Sequence, residues 1–420
     1  MSFVKRLTLL VVAAVAAVIV VPGSASAAQC TIQGTAGPDV LVGTAGTDVI
    51  CGLGGDDILK GLGASDELDG GNGNDKLNGG AGVDELNGGG DNDKLSGGDG
   101  SDTLNGEIGN DKLNGGDGID TLNGGDDNDS LDGGSSADVL NGDAGFDAVS
   151  YQSRLVPVLV TIDGVADDGS VNVDTTTGPG PAADNVTTTV EKVTGGTADD
   201  SLTANAAGSD LRGSFGDDTL TGGVGPDNLI AGNGADLVNG GDSADTLNGG
   251  GGIDTINGGD GDDSINGVSG DDVLNGDAGD DNIIGSSGDD TISGGADDDT
   301  VNGGIDDDTV DGDGGLDFLI GGNGTGADIL NGGTEADILH GNAGPDTLSG
   351  DEGDDLLIGS SGADTFNGGD DDDDIQADDG EIDTAIDCGD GAADTADVDG
   401  NPPGAIDDPA STGCETVNPF

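Results

Sequence analysis

The chain has 420 residues, of which 89 are glycine and 86 are Asp or Glu against only nine Lys and Arg, so its formal net charge is -77. With no Trp, one Tyr and 2% aromatics, an ordinary globular core is excluded, and the aliphatic content is that of chains which stay unfolded in water unaided. The sign of the charge also excludes nucleic acid and anionic membrane as partners.

At the N-terminus, Lys5 and Arg6 precede an apolar run from Leu7 to Val21, followed by Pro22, Gly23 and the small residues Ser24 to Ala28. This pattern reads as an export signal over residues 1–27, with Ala25 and Ala27 three and one before the cut. The expected mature chain starts at Ala28, with cleavage before Gln29 as the near alternative. The run is short for a membrane span, and Gln29 is too large to precede a lipid-modified Cys30. No second long apolar run and no Leu-Pro-x-Thr-Gly sorting signal follow. The mature chain is therefore expected outside the cell, without membrane insertion, either free or held non-covalently at the surface. Export leaves cysteines oxidised, and Cys30 with Cys51 and Cys388 with Cys414 are the sequence-local pairs, one at each end of the repetitive region. A zinc site fits poorly, because there is no C-x-x-C and His340 is the single histidine.

From residue 28 to 149 a nine-residue unit repeats without a slip. Its Asp falls at Asp39, Asp48, Asp57, Asp66, Asp75, Asp84, Asp93, Asp102, Asp111, Asp120, Asp129, Asp138 and Asp147. Two residues after each lies an aliphatic, from Leu41 and Ile50 through Leu59, Leu68 and Leu77 to Val149. Residues 150–194 lack the period and read as a β-rich insert or joint, with strands over Leu155 to Ile162 and Val186 to Val193 around a Gly178 to Pro181 loop. Asn185-Val186-Thr187 is a weak glycosylation sequon.

The second array, 195–376, opens on a degenerate unit at Asp200 and Leu202. It continues through Asp218, Asp227, Asp236, Asp245, Asp254, Asp263, Asp272, Asp281, Asp290, Asp299, Asp308 and Asp317. After two extra residues between Gly322 and Asp328 it resumes at Asp328, Asp337, Asp346, Asp355, Asp364 and Asp373. Residues 377–420 lose the repeat but keep Cys388, Cys414, Ile382, Ile386 and Val417, and are expected to cap the last strand edge.

Units such as GGNGNDKLN, GGAGVDELN and GGDGIDTLN resemble the calcium-binding nonapeptide G-G-x-G-x-D-x-U-x of RTX (repeats-in-toxin) proteins. The resemblance implies an all-β parallel β-roll solenoid, in which G-G-x-G-x-D turns and x-U-x strands alternate and two units make one coil. It also implies multiple Ca²⁺ ions held by the Asp residues above and by glycine-turn carbonyls, an oxygen-only set that suits Ca²⁺ better than Mg²⁺. Asp75 is then expected over Asp93, and Asp84 over Asp102. Position four of the unit is not glycine at Ala64, Asp91, Asp127, Ser136, Ser243, Asp297, Asp306 or Glu335, which puts those sites in question. The carboxylates before the main Asp, at Asp262, Asp271, Asp280 and Asp289, read as a solvated edge.

One aliphatic side chain per nine residues cannot offset the entropy of ordering them. Calcium binding and folding are therefore expected to be one event. Many RTX proteins append an enzyme to such rolls, but here there is no H-E-x-x-H, no G-x-S-x-G and almost no aromatic platform for a sugar. The chain is expected not to be an enzyme. Two readings remain: an exported calcium-binding protein that folds on binding the ion, and a structural or adhesive spacer stiffened by it.

Overall fold

The computed structural model describes residues 30–164, 169–170, 184–377, 383–398, 412–414 and 416–419. The leader, the Gly178 to Pro181 loop and Ile382 lie outside this set.

Each repeat supplies one strand of about six residues, such as Lys76–Ala81, Glu85–Gly90 and Lys94–Asp99. This is longer than the three-residue x-U-x expected, because the strand runs on through the Gly-Gly of the following unit. The extension has a physical reason: along Lys76–Ala81 burial alternates, so Leu77 and Gly79 both point inward. The first glycine fills the second inward position where the two walls of the roll approach. At Gly97, a Cβ would run into the Asp102 carboxylate and the Gly115 carbonyl of the next coil. The leucines stack inside with almost no exposure, 2% at Leu77 and 0% at Leu86 and Leu95.

Strands pair in parallel at an offset of eighteen residues, two units per coil. Leu77 lies beside Leu95, then Leu113 and Leu131 in one wall. Leu68, Leu86, Leu104, Leu122 and Leu140 line the other. The chain is thus an all-β parallel solenoid. Among the described residues one wall is a continuous sheet of twenty strands; the opposite wall is made by an eight-stranded sheet over the first array and a thirteen-stranded sheet over the second.

The insert does not separate the arrays. Val149 pairs with Val193, and Val193 with Leu211, so the continuous sheet and a single core pass through it. The apolar run Val186 to Val193 forms two strands, Asn185–Val186 and Lys192–Thr194, one in each wall, joined by a turn in which Val190 N–H donates to the Thr187 carbonyl. The reason is burial: Val186 and Val193 each take an inward core position, which two walls can offer and one straight strand cannot. Only Val158–Thr161 of the expected Leu155 to Ile162 run is strand, and Leu155 is 80% exposed.

The tail likewise prolongs the coil. Asp374–Ala377 pairs with Thr395–Val398, which pairs with Thr416–Pro419, and Ile386 packs beside Phe366. Disulfides join Cys30 to Cys51 and Cys388 to Cys414, tying down both ends.

Candidate cation-binding turns

From Asp48 onward the repeated Asp side chains are buried although the turns that carry them lie at the rim between the two walls. Asp120 and Asp147 are 0% exposed, Asp57 and Asp75 1%. One oxygen of each has a fixed task. Asp75 N–H donates to Asp93 Oδ1 at 2.7 Å, Asp84 N–H to Asp102 Oδ1 at 2.8 Å, and the same bond repeats coil after coil to Asp355 and Asp373 at 3.0 Å. The expected stacking of Asp75 with Asp93 and of Asp84 with Asp102 is therefore present.

The other oxygen divides the turns into two classes. For every unit from Asp57 to Asp147, for Asp218, for every unit from Asp236 to Asp317, and for Asp337, Asp346, Asp355 and Asp373, Oδ2 is buried and receives no hydrogen bond. In these open turns the second and fourth residues both have positive φ, as at Gly71 (100°) and Gly73 (120°) before Asp75. That conformation turns the second residue's N–H away from the carboxylate. Where the fourth residue is not glycine the backbone is the same: Ala64, Asp91, Asp127, Ser136, Ser243, Asp297, Asp306 and Glu335 have φ between 67° and 98°.

In the closed turns Oδ2 is satisfied from within. Thr35 N–H donates to Asp39 Oδ2 at 2.6 Å, with the Thr35 hydroxyl at 2.9 Å, and Thr44 treats Asp48 in the same way. Gly196 N–H donates to Asp200, and Gly223 N–H to Asp227. None of these four turns has a positive φ at its second or fourth residue. Asp328 and Asp364 also stack in the ladder, Asp328 N–H donating to Asp346 and Asp346 N–H to Asp364. The turn before Asp328, lengthened by two residues, keeps positive φ only at Gly322.

A buried carboxylate oxygen without a donor is costly as an anion, and the protonation equilibria reflect it. Burial, with the neighbouring carboxylates adding to it, raises Asp93 and Asp138 to about 8 and Asp218, Asp263, Asp299 and Asp337 to about 7, against the opposing effect of the main-chain hydrogen bond.

The surroundings fit a hard cation. The first glycine of an open turn lies between the carboxylate and a carbonyl of the next coil, as Gly97 does between Asp102 Oδ2 and the Gly115 carbonyl, and the turns stack so closely that a Cβ on Gly100 would overlap the Gly82 carbonyl, and one on Gly118 that of Gly100. Among the described residues no three His, Cys, Asp or Glu side chains converge on a point. A cation in these turns thus depends on single carboxylates and backbone oxygens, an oxygen-only donor set of the kind Ca²⁺ takes. The carboxylates one residue earlier are exposed and form their own ladder, Asp262 accepting from Asp280 N–H and Asp271 from Asp289 N–H.

Some members of the buried row escape the period. Asp184 and Glu191 in the insert accept from the N–H groups of Asp138 and Asp147, and Asp394 in the tail accepts from Asp373. Ser209 takes an Asp position, its N–H donating to Asp227. The signals were D-x-V at Asp184, E-x-V at Glu191 and D-x-A at Asp394, at spacings other than nine.

Comparison with curated proteins gave no match. The family model of the RTX calcium-binding nonapeptide repeat matches in overlapping stretches that together run over residues 31–149 and 212–381. The matched residues make up more than half of the chain and carry the open turns, the parallel coils and the buried aspartate rows, and on that basis the chain belongs to the RTX calcium-binding nonapeptide repeat family.

Proposed function

We propose that this is an exported calcium ion binding protein whose solenoid forms as Ca²⁺ enters the open turns. The observation that carries the proposal is the row of buried Oδ2 atoms without donors, which along the two repeat arrays accompanies turns with two positive-φ residues. The ligands assigned are the carboxylates of the open turns, Asp57 to Asp147, Asp218, Asp236 to Asp317, Asp337, Asp346, Asp355 and Asp373, with carbonyls of the glycine turns. Asp328 and Asp364 join them through their places in the ladder. Asp39, Asp48 and Asp227, whose Oδ2 atoms already accept hydrogen bonds within the turn, serve as structural positions. Bound calcium supplies positive charge at the buried carboxylates and so removes the cost of keeping them ionised.

Two disulfides at the ends and the leader-like N-terminus support an extracellular location. The family, the absence of catalytic motifs from the sequence and the scarcity of aromatics favour binding over catalysis. An extracellular spacer stiffened by the same ions is the second reading, favoured by the length of the continuous sheet.

The test is far-UV circular dichroism of the chain in chelator, titrated with calcium and separately with magnesium. A coil-to-β transition driven by calcium alone supports the proposal. An unchanged spectrum on calcium addition overturns it. Retention on cell walls rather than in the supernatant would favour the spacer.

A further inference from the structure

The nine-residue unit alternates between the two walls, and so does its charge. In the continuous sheet the outward residue after each Asp is Lys76, Lys94 and Lys112 on three neighbouring strands, in direct register, with Lys60 two positions along on the strand before. Four of the nine basic residues of the chain thus stand on one small face, and all four are exposed. Like charges directly opposite across a ladder are destabilising. In a chain with 86 acidic residues a neutralising partner would be easy to place, yet among the described residues the ion pairs join only Lys192 and Arg212 to Asp210. Asn78, Ser96 and Asn114, two residues farther on, carry no charge, and the exposed carboxylates of Asp99 and Asp117 stand at the far ends of two of these strands.

The opposite wall of the same coils carries the reverse. Glu67 and Glu85 pair in register, and together with Asp69, Glu107 and Asp143 they line a groove of about 1030 Å³ on the outer face of the first-array sheet. Both faces are built on one coil, so their charges recur at one spacing, the roughly 4.8 Å between neighbouring strands.

We propose that the lysine face of one copy docks into the glutamate groove of a second copy of this chain. The lysine stems are long enough to enter a groove while their ammonium groups reach carboxylates. Lysines that gain partners there offset the repulsion they suffer in the free chain. A contact between two different faces leaves one of each unused, so it is heterologous and builds open-ended assemblies rather than closed dimers. With bound calcium offsetting the net negative charge of both copies, the attraction between the two oppositely charged faces governs the salt dependence, and the association weakens with salt.

The test is sedimentation velocity of the full chain in calcium, at low and high ionic strength. The expected result is concentration-dependent association at low salt that high salt reverses. The triple variant K76E/K94E/K112E is expected to weaken association about tenfold or more, and mixing it with E67K/E85K to restore it. Circular dichroism in calcium, unchanged between wild type and variants, separates loss of docking from loss of fold, and a failure of calcium-driven folding would show in that spectrum alone. A wild-type chain that stays monomeric at low salt overturns the proposal, as does association indifferent to the triple reversal. Binding of inorganic polyphosphate by wild type but not by the triple variant, without self-association, would assign the lysines to a polyanion instead and also overturns it.

Discussion

Within each turn the two kinds of glycine are needed for different reasons. The first, as at Gly97, lies where a Cβ would strike the Asp102 carboxylate and the Gly115 backbone. The fourth combines a positive φ with close stacking, since a Cβ on Gly73 would strike the Gly55 carbonyl of the coil before, yet Asp91, Ser136 and Ala64 adopt the same positive φ in its place. Gly97→Ala is therefore expected to destabilise the calcium-loaded roll by about 2 kcal/mol or more through overpacking. A fourth-position change such as Gly73→Asp is expected to cost less, because other turns already carry Asp, Ser or Ala there with their coils shifted to fit. Calcium-dependent thermal unfolding of both variants checks the order, and equal losses would contradict it. The carboxylates separate in the same way. Asp102→Asn, in an open turn, is expected to lower calcium stoichiometry measured by equilibrium dialysis. Asp39→Asn, whose Oδ2 already accepts from Thr35, is expected to leave the stoichiometry unchanged.

The element is the coil, two short strands and two turns, and no coil has a core of its own: Leu86 is buried only because Leu68 and Leu104 flank it. Stability is then carried by neighbour contacts, and the terminal coils have one neighbour each. The Cys30–Cys51 bridge, closing a sequence separation of 21, supplies a covalent substitute at the first coil. Its removal by paired Cys→Ser changes is expected to cost about 3 kcal/mol and to fray the coil of Asp39 first, measured by hydrogen exchange at Val40 and Leu41. Repeat units and end pairs were legible at this scale, since Asp and the aliphatic two residues later recur at a fixed interval. The insert and tail were not, because Val186, Val193 and Ala396 occupy core positions at intervals other than nine. A loop of different length can deliver the same inward side chain, and only the packed structure shows that it does.

For the whole molecule the decisive quantity is the charge held in its rows of carboxylates. Burial raises their values to about 6 at Asp75 and Asp102, about 7 at Asp263 and about 8 at Asp93, above an ordinary carboxylate near 3.8. The fold therefore binds more protons than the unfolded chain. The stability these groups contribute is fully present below about pH 4 and is lost as pH rises through 6 to 8. Without calcium, β structure is expected to appear on acidification from pH 8 towards 4 and to vanish on return, read by circular dichroism. With calcium the dependence reverses: ions displace protons, so apparent affinity is expected to rise between pH 6 and 8, with proton release measurable by calorimetry in buffers of different ionisation enthalpy. Affinity independent of pH over that range would contradict the buried-carboxylate account.

The sequence alone determined the solenoid, its period, the aliphatic spine and the identity of the acidic rows. Those follow from local chemistry repeated many times, since a strand of this length offers few inward positions and the turn before it demands glycine. Tertiary structure decided which carboxylates are left without a donor. Asp39 and Asp75 occupy the same place in the motif, yet one is closed by Thr35 and the other left open, because the path of the backbone through each turn sets where its N–H groups point. It also decided that the arrays are one roll, through Val149, Val193 and Leu211 side by side, because a shared core depends on where inward side chains meet and not on their distance along the chain.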